Sequence, residues 1–168
     1  LPALSETAST ATVGATTTGD GGLSLTSPPA TVTLNGDLAP TGETNAGSVT
    51  ISASSGNTIA LGGNISVSTD SVSGTDQAIS LGNITDGATD PTLTLDAGSQ
   101  NVTLADVGTS TNAIGALTIT EAGTVNFNGD VETNGIAVQS ATSVVMASGK
   151  TLDANGGTTY AWSTGAGV

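Results

Sequence analysis

Residues 117–131 read Leu117-Thr118-Ile119-Thr120-Glu121-Ala122-Gly123-Thr124-Val125-Asn126-Phe127-Asn128-Gly129-Asp130-Val131. Two pieces of this stretch, Leu117-Thr118-Ile119 and Val125-Asn126-Phe127, place a polar residue between two apolar ones. A period of two sends successive side chains to opposite faces of an extended chain, so each piece predicts a short strand with one buried face. Gly and Asp tolerate positive φ, and an Asx side chain bonds the backbone two residues on. Asn128-Gly129-Asp130 therefore predicts a corner, after which Val131 re-enters the core.

Working outward, the same phrase recurs. First strands are expected at Leu23, Val49, Leu93, Leu117 and Ile136, with a degenerate unit near Val72 filling the longest gap. Second strands follow at Val32-Thr33-Leu34, Ile59-Ala60-Leu61, Ile79-Ser80-Leu81, Val102-Thr103-Leu104, Val125-Asn126-Phe127 and Val144-Val145-Met146. After them come corners with a shared skeleton of a small residue, an Asp or Asn, and an apolar residue, which places Asp37, Asn64, Asn83, Asp106 and Asp130 in one structural corner column. Self-similarity at this spacing marks a repeat architecture. The prediction is an all-β fold, a single-stranded parallel β-solenoid of about six coils of roughly 22 residues. Residues 1–20, rich in Thr, Ala and Ser, read as a linker or irregular cap, and residues 21–168 as the solenoid domain. An antiparallel sandwich of short strands is the alternative, but it gives no reason for a repeated order of strand, corner and strand.

Composition agrees with a thin core. Leu, Ile, Val and Phe number 13, 8, 13 and 1, about a fifth of 168 residues, and the aromatics are Phe127, Tyr160 and Trp162 alone. Such a chain must stack aliphatic side chains, because it has too few large ones to interdigitate. With 14 Asp and Glu, one basic residue (Lys150), no His and no Cys, the net charge is −13. That removes His- or Cys-based nucleophiles, zinc sites of the usual kind and disulfides, and it disfavours nucleic acid and anionic lipid. No apolar run is long enough for a membrane helix.

The segments 47–64 and 116–131 resemble the degenerate repeats of filamentous-haemagglutinin-like exoproteins and autotransporter adhesin passengers. The resemblance implies an extended right-handed parallel β-helix at a bacterial cell surface or outside the cell, serving as stalk or adhesive fibre. Unpaired N–H and C=O groups on the end coils of a solenoid predict as partners further copies met head to tail or adjoining repeats, and the adhesive role implied by the resemblance adds a host or cell-surface glycan or protein.

A polysaccharide-active β-helix enzyme needs a strong base or paired carboxylates; Arg is absent and Lys150 sits in the turn Ser148-Gly149-Lys150-Thr151. No catalytic residue, cofactor site or metal site is therefore expected. The only local acidic group, Asp86, Asp90 and Asp96, matches no calcium motif. The triplets at Thr31, Thr92 and Thr118 would suit an ice-matching surface only if they were in register on consecutive coils, and spacings of 61 and 26 break that register. Tyr160 and Trp162 are the candidate end-to-end interface, where aromatics anchor contact. The expected role is a structural and adhesive surface module, with a self-assembling surface-layer or filament subunit as the alternative and the polysaccharide-active enzyme second.

Overall fold

A computed structural model describes residues 10–13, 22–26, 30–40, 45–52, 56–155 and 160–164. Among them every strand pairing is parallel and there is no helix. The chain is a β-solenoid with three strand stacks per turn. The first face stacks Thr10–Val13, Thr31–Leu34, Thr58–Leu61 and Ile84–Asp86, continuing through Val107 to Val131–Glu132 and Leu152–Asp153. A second face runs from Leu38 through Ile65–Ser68 and Leu93–Asp96 to the starts of Leu117–Phe127 and Ile136–Met146, and then Tyr160–Thr164. Leu23–Leu25, Val49–Ile51, Ile79–Leu81, Val102–Leu104 and the far halves of the two long strands form the third.

On the first face, Val32 and Leu152 are 120 residues and five turns apart, or 24 residues per turn. Turn length shrinks along the chain. Register partners on the third face are 30 residues apart between Val49 and Ile79 and 19 between Val125 and Val144. Early turns carry a loop between the second and third faces. In the last two, one eleven-residue strand bends across that corner, with Ala122 and Ala141 buried where it turns.

The alternation read from sequence sets the inside and outside. Val32, Leu34, Ile59, Leu61, Ile79, Leu81, Val102, Leu104, Val125 and Phe127 are all buried. The residues between them, Thr33, Ala60, Ser80, Thr103 and Asn126, are half-exposed. These ten apolar residues stack in columns on two different faces. Val32 and Ile59 stack on Ile84 of the first face, whereas Ile79, Val102 and Val125 stack on Val49 of the third. Val49 is thus not equivalent to Leu93; Ile65 is.

The degenerate unit expected near Val72 is not a strand. Val72 is fully exposed on the loop between Ile65–Ser68 and Ile79–Leu81, because the missing second-face strand is Ile65–Ser68 itself. The stack also begins before residue 21, since Thr10–Val13 pairs in register with Thr31–Leu34. An Ala at one of four positions gives that strand a weak apolar signal.

Candidate functional site

The five corner residues divide between two corners. Asp37 and Asn64 precede the second face, one residue before Leu38 and Ile65; Asn83, Asp106 and Asp130 precede the first, before Ile84, Val107 and Val131. Both corners need a residue that can turn the chain, so they share one sequence phrase, and text alone merges them.

The geometry explains why the residue is Asx. At the first-face corner the N–H of Ile84, Val107 and Val131 donates to the carbonyl of Asp106, Asp130 and Thr151 on the next turn. The N–H of that next-turn residue lies beyond the end of the regular ladder, and an Asx oxygen accepts it. Asp106 Oδ1 takes the Asp130 N–H at 2.9 Å, and Asp130 Oδ1 takes the Thr151 N–H at 2.9 Å. Elsewhere Asp37 accepts from Ser66 at 2.7 Å and Asn64 from Thr92 at 3.0 Å. Asn83 departs from the rule: its Nδ2 donates back to the Asn57 carbonyl at 3.5 Å.

Three further residues do the same work and were missed in the sequence. Asn45 accepts from Thr75 at 3.3 Å, Asp76 from Ser99 at 2.8 Å and Asn101 from Thr124 at 3.1 Å. The signal that finds Asn101 is simpler, namely an Asx directly before the first inward residue, here Val102, with no small residue required before it. Asn101→Ala is expected to cost about 0.5–1.5 kcal/mol, one net hydrogen bond, and Asn101→Asp to restore most of it, read by urea unfolding of the two variants.

Lys150 Nζ lies 3.2 Å from Asp130 Oδ2 and 3.7 Å from Asp106 Oδ1. The two carboxylates line an open groove of about 390 Å³ together with Thr109, Ser110, Glu132 and Thr151. The Thr151 N–H, then the Lys150 ammonium, hold the Asp130 carboxyl below the usual carboxylate range, and Asp130 in turn raises Lys150. Asp130 therefore stays ionised and Lys150 stays protonated at neutral pH. Neither is poised as a general acid or base, which need a pKa near the working pH.

A second acidic group lies where the chain passes from the second to the third face. Asp70 is pushed up by burial and then by Asp96 and Asp76. Asp76 is lowered to about 2 by the N–H groups of Ser99 and Ser71 and the Ser99 hydroxyl. The loop that carries both is closed at its base, where the buried Thr69 hydroxyl donates to the Gln77 carbonyl and the Gln77 N–H to the Thr69 carbonyl. The folded state holds the Asp70 proton more tightly than the unfolded chain does, so this carboxyl favours folding below its unfolded pKa, and that contribution is lost as pH rises through the folded value. Asp70→Asn is accordingly expected to raise the melting temperature at neutral pH, with the gain vanishing near pH ~3. Asp76 has the opposite sign: its contribution is present above the unfolded value and fades as pH falls toward 2.

Of the acidic trio noted in the sequence, Asp86 and Asp96 each accept an N–H two residues on and Asp90 accepts from Asn134 Nδ2 at 3.2 Å. Among the described residues no three Asp or Glu are placed to hold a metal ion. Thr94 and Thr118 are register partners, but partners on these coils are 24 residues apart, so triplets that start 26 apart are offset by two residues, as the spacing argument expects. Their column continues as Ser66 and Ala137, and Thr31 belongs to another face. Tyr160 and Trp162 lie in the last second-face strand, paired with Ile136 and Val138; their side chains fall outside the described residues.

No protein-family model matches the chain, and no curated protein or solved structure is similar to it.

Proposed function

We propose that this chain is a structural and adhesive module of an extracellular or cell-surface bacterial fibre or stalk, extended by coil-on-coil stacking with further copies or adjoining repeats. The observation that carries this reading is the open third face at the C-terminal end. Leu81, Leu104 and Phe127 form an inward column that is at most 3% exposed; Met146 occupies the next position in that column and is 48% exposed. Among the described residues no strand lies beyond Val144–Met146, and none lies before Leu23–Leu25 on the same face. Unpaired strand edges template further pairing, and here apolar side chains stand at one of them. The net charge of −13 opposes side-by-side clumping while leaving axial pairing open.

The resemblance to haemagglutinin-like and autotransporter repeats favours the same role, with a host or cell-surface glycan or protein as the adhesive target. The loop bearing Val72 is the feature that projects toward such a partner. A catalytic role is not proposed, since two of the three carboxylates in the groove beside Lys150, Asp106 and Asp130, are committed to the backbone and to a protonated lysine.

Light scattering over about a hundredfold range of concentration tests the stacking. The wild-type chain is expected to grow in length as linear rods in negative-stain micrographs, and Met146→Lys to stay monomeric with unchanged circular dichroism. Wild-type monomers throughout would refute the reading, and two-dimensional sheets would favour a surface-layer subunit instead.

A further inference from the structure

The corner rule creates a second pattern that the fold does not use. An Asx, an inward apolar residue and an outward Ser or Thr together spell Asn-x-Ser/Thr, the asparagine glycosylation acceptor, three times: Asn64-Ile65-Ser66, Asn83-Ile84-Thr85 and Asn101-Val102-Thr103. We propose that Asn64 and Asn101 are sugar-acceptor sites and that Asn83 is not.

The distinction lies in which end of each amide the solenoid occupies. At Asn64 and Asn101 the next turn binds the oxygen, through the Thr92 and Thr124 N–H groups. Among the described residues neither side-chain nitrogen has a hydrogen-bond partner, and both asparagines are exposed. At Asn83 the nitrogen is the engaged end, donating to Asn57, and the residue is only half-exposed. Strand alternation completes the acceptor. Ile65 and Val102 point into the core, so Asn64 stands beside Ser66, and Asn101 beside Thr103, on the outer surface. The middle residue cannot be proline here either, since the Ile65 N–H donates to the Thr92 carbonyl.

The substrate class is an activated sugar phosphate. A bond forms between Nδ2 and the anomeric carbon, the bond from that carbon to the donor's phosphate oxygen breaks, the phosphate-bearing group leaves, and the amide gives up one proton. The carbonyl oxygen is untouched, so the bond to the next turn survives the transfer. Both sites lie on the flank of the solenoid, away from its ends, so the proposal stands or falls independently of stacking.

Peptide mass spectrometry of the chain recovered from the cells that produce it tests the assignment. Sugar is expected on Asn64 and Asn101 and not on Asn83. A single hexose would identify a nucleotide-sugar donor, and an oligosaccharide a lipid-linked one. In the same cells Thr103→Ala is expected to abolish the sugar at Asn101 alone while leaving the melting temperature unchanged. A bare amide at Asn64 or Asn101, sugar on Asn83 at equal occupancy, or sugar on Asn101 in Thr103→Ala would overturn it.

Discussion

Leu104→Ala is expected to destabilise the fold by about 2–5 kcal/mol, the range for truncating a buried leucine. Leu104 is fully buried in the third-face column between Leu81 and Phe127. Its strand is paired on both sides, with Ile79–Leu81 and Val125–Phe127, which limits collapse into the void and favours the upper part of that range. Thr103→Ala, one residue away and outward, is expected to change stability by less than about 0.5 kcal/mol. Urea unfolding of the pair checks both values, and similar costs for the two variants would contradict the observed inside and outside.

Gly108→Ala is the second large effect, expected at more than about 2 kcal/mol. Gly108 has φ +69°, and a Cβ there would run into the Glu132 carbonyl oxygen on the next turn. Neither partner can retreat. The Gly108 N–H is bonded to the Ile84 carbonyl at 2.9 Å, and the Glu132 N–H to the Val107 carbonyl at 2.7 Å. Gly135 is the control, because a Cβ there meets nothing within 4 Å and its φ is not positive. Gly135→Ala is expected to be neutral or to stabilise by about 0.4–1 kcal/mol through the unfolded chain.

Much of the architecture is legible in the residues, since period-two alternation fixes which side chains face the core wherever Val, Ile or Leu supply it. What alternation cannot fix is which strand stacks on which. Ile59 and Ile79 look alike in sequence because both head an apolar-small-apolar triplet, yet one belongs to the first face and the other to the third. The corner residues fail for the same reason, as Asn64 and Asn83 answer the same backbone need at different corners. The loop around Val72 hides the count further, lengthening one turn without adding a strand. Asn101 escaped notice because a Gln, not a small residue, precedes it, although its bond to Thr124 depends only on its place before Val102.

The Asx bonds between turns all run one way. Asp37, Asn45, Asn64, Asp76, Asn101, Asp106 and Asp130 each offer an oxygen to the following turn and receive its N–H. Each coil is therefore plug on one rim and socket on the other. Two rims of the same kind brought together at these corners would set oxygen against oxygen, while unlike rims repeat the contact already made inside the chain. A filament built from such coils has a built-in polarity, and its two tips are chemically different surfaces that can grow, stop or be capped by different means.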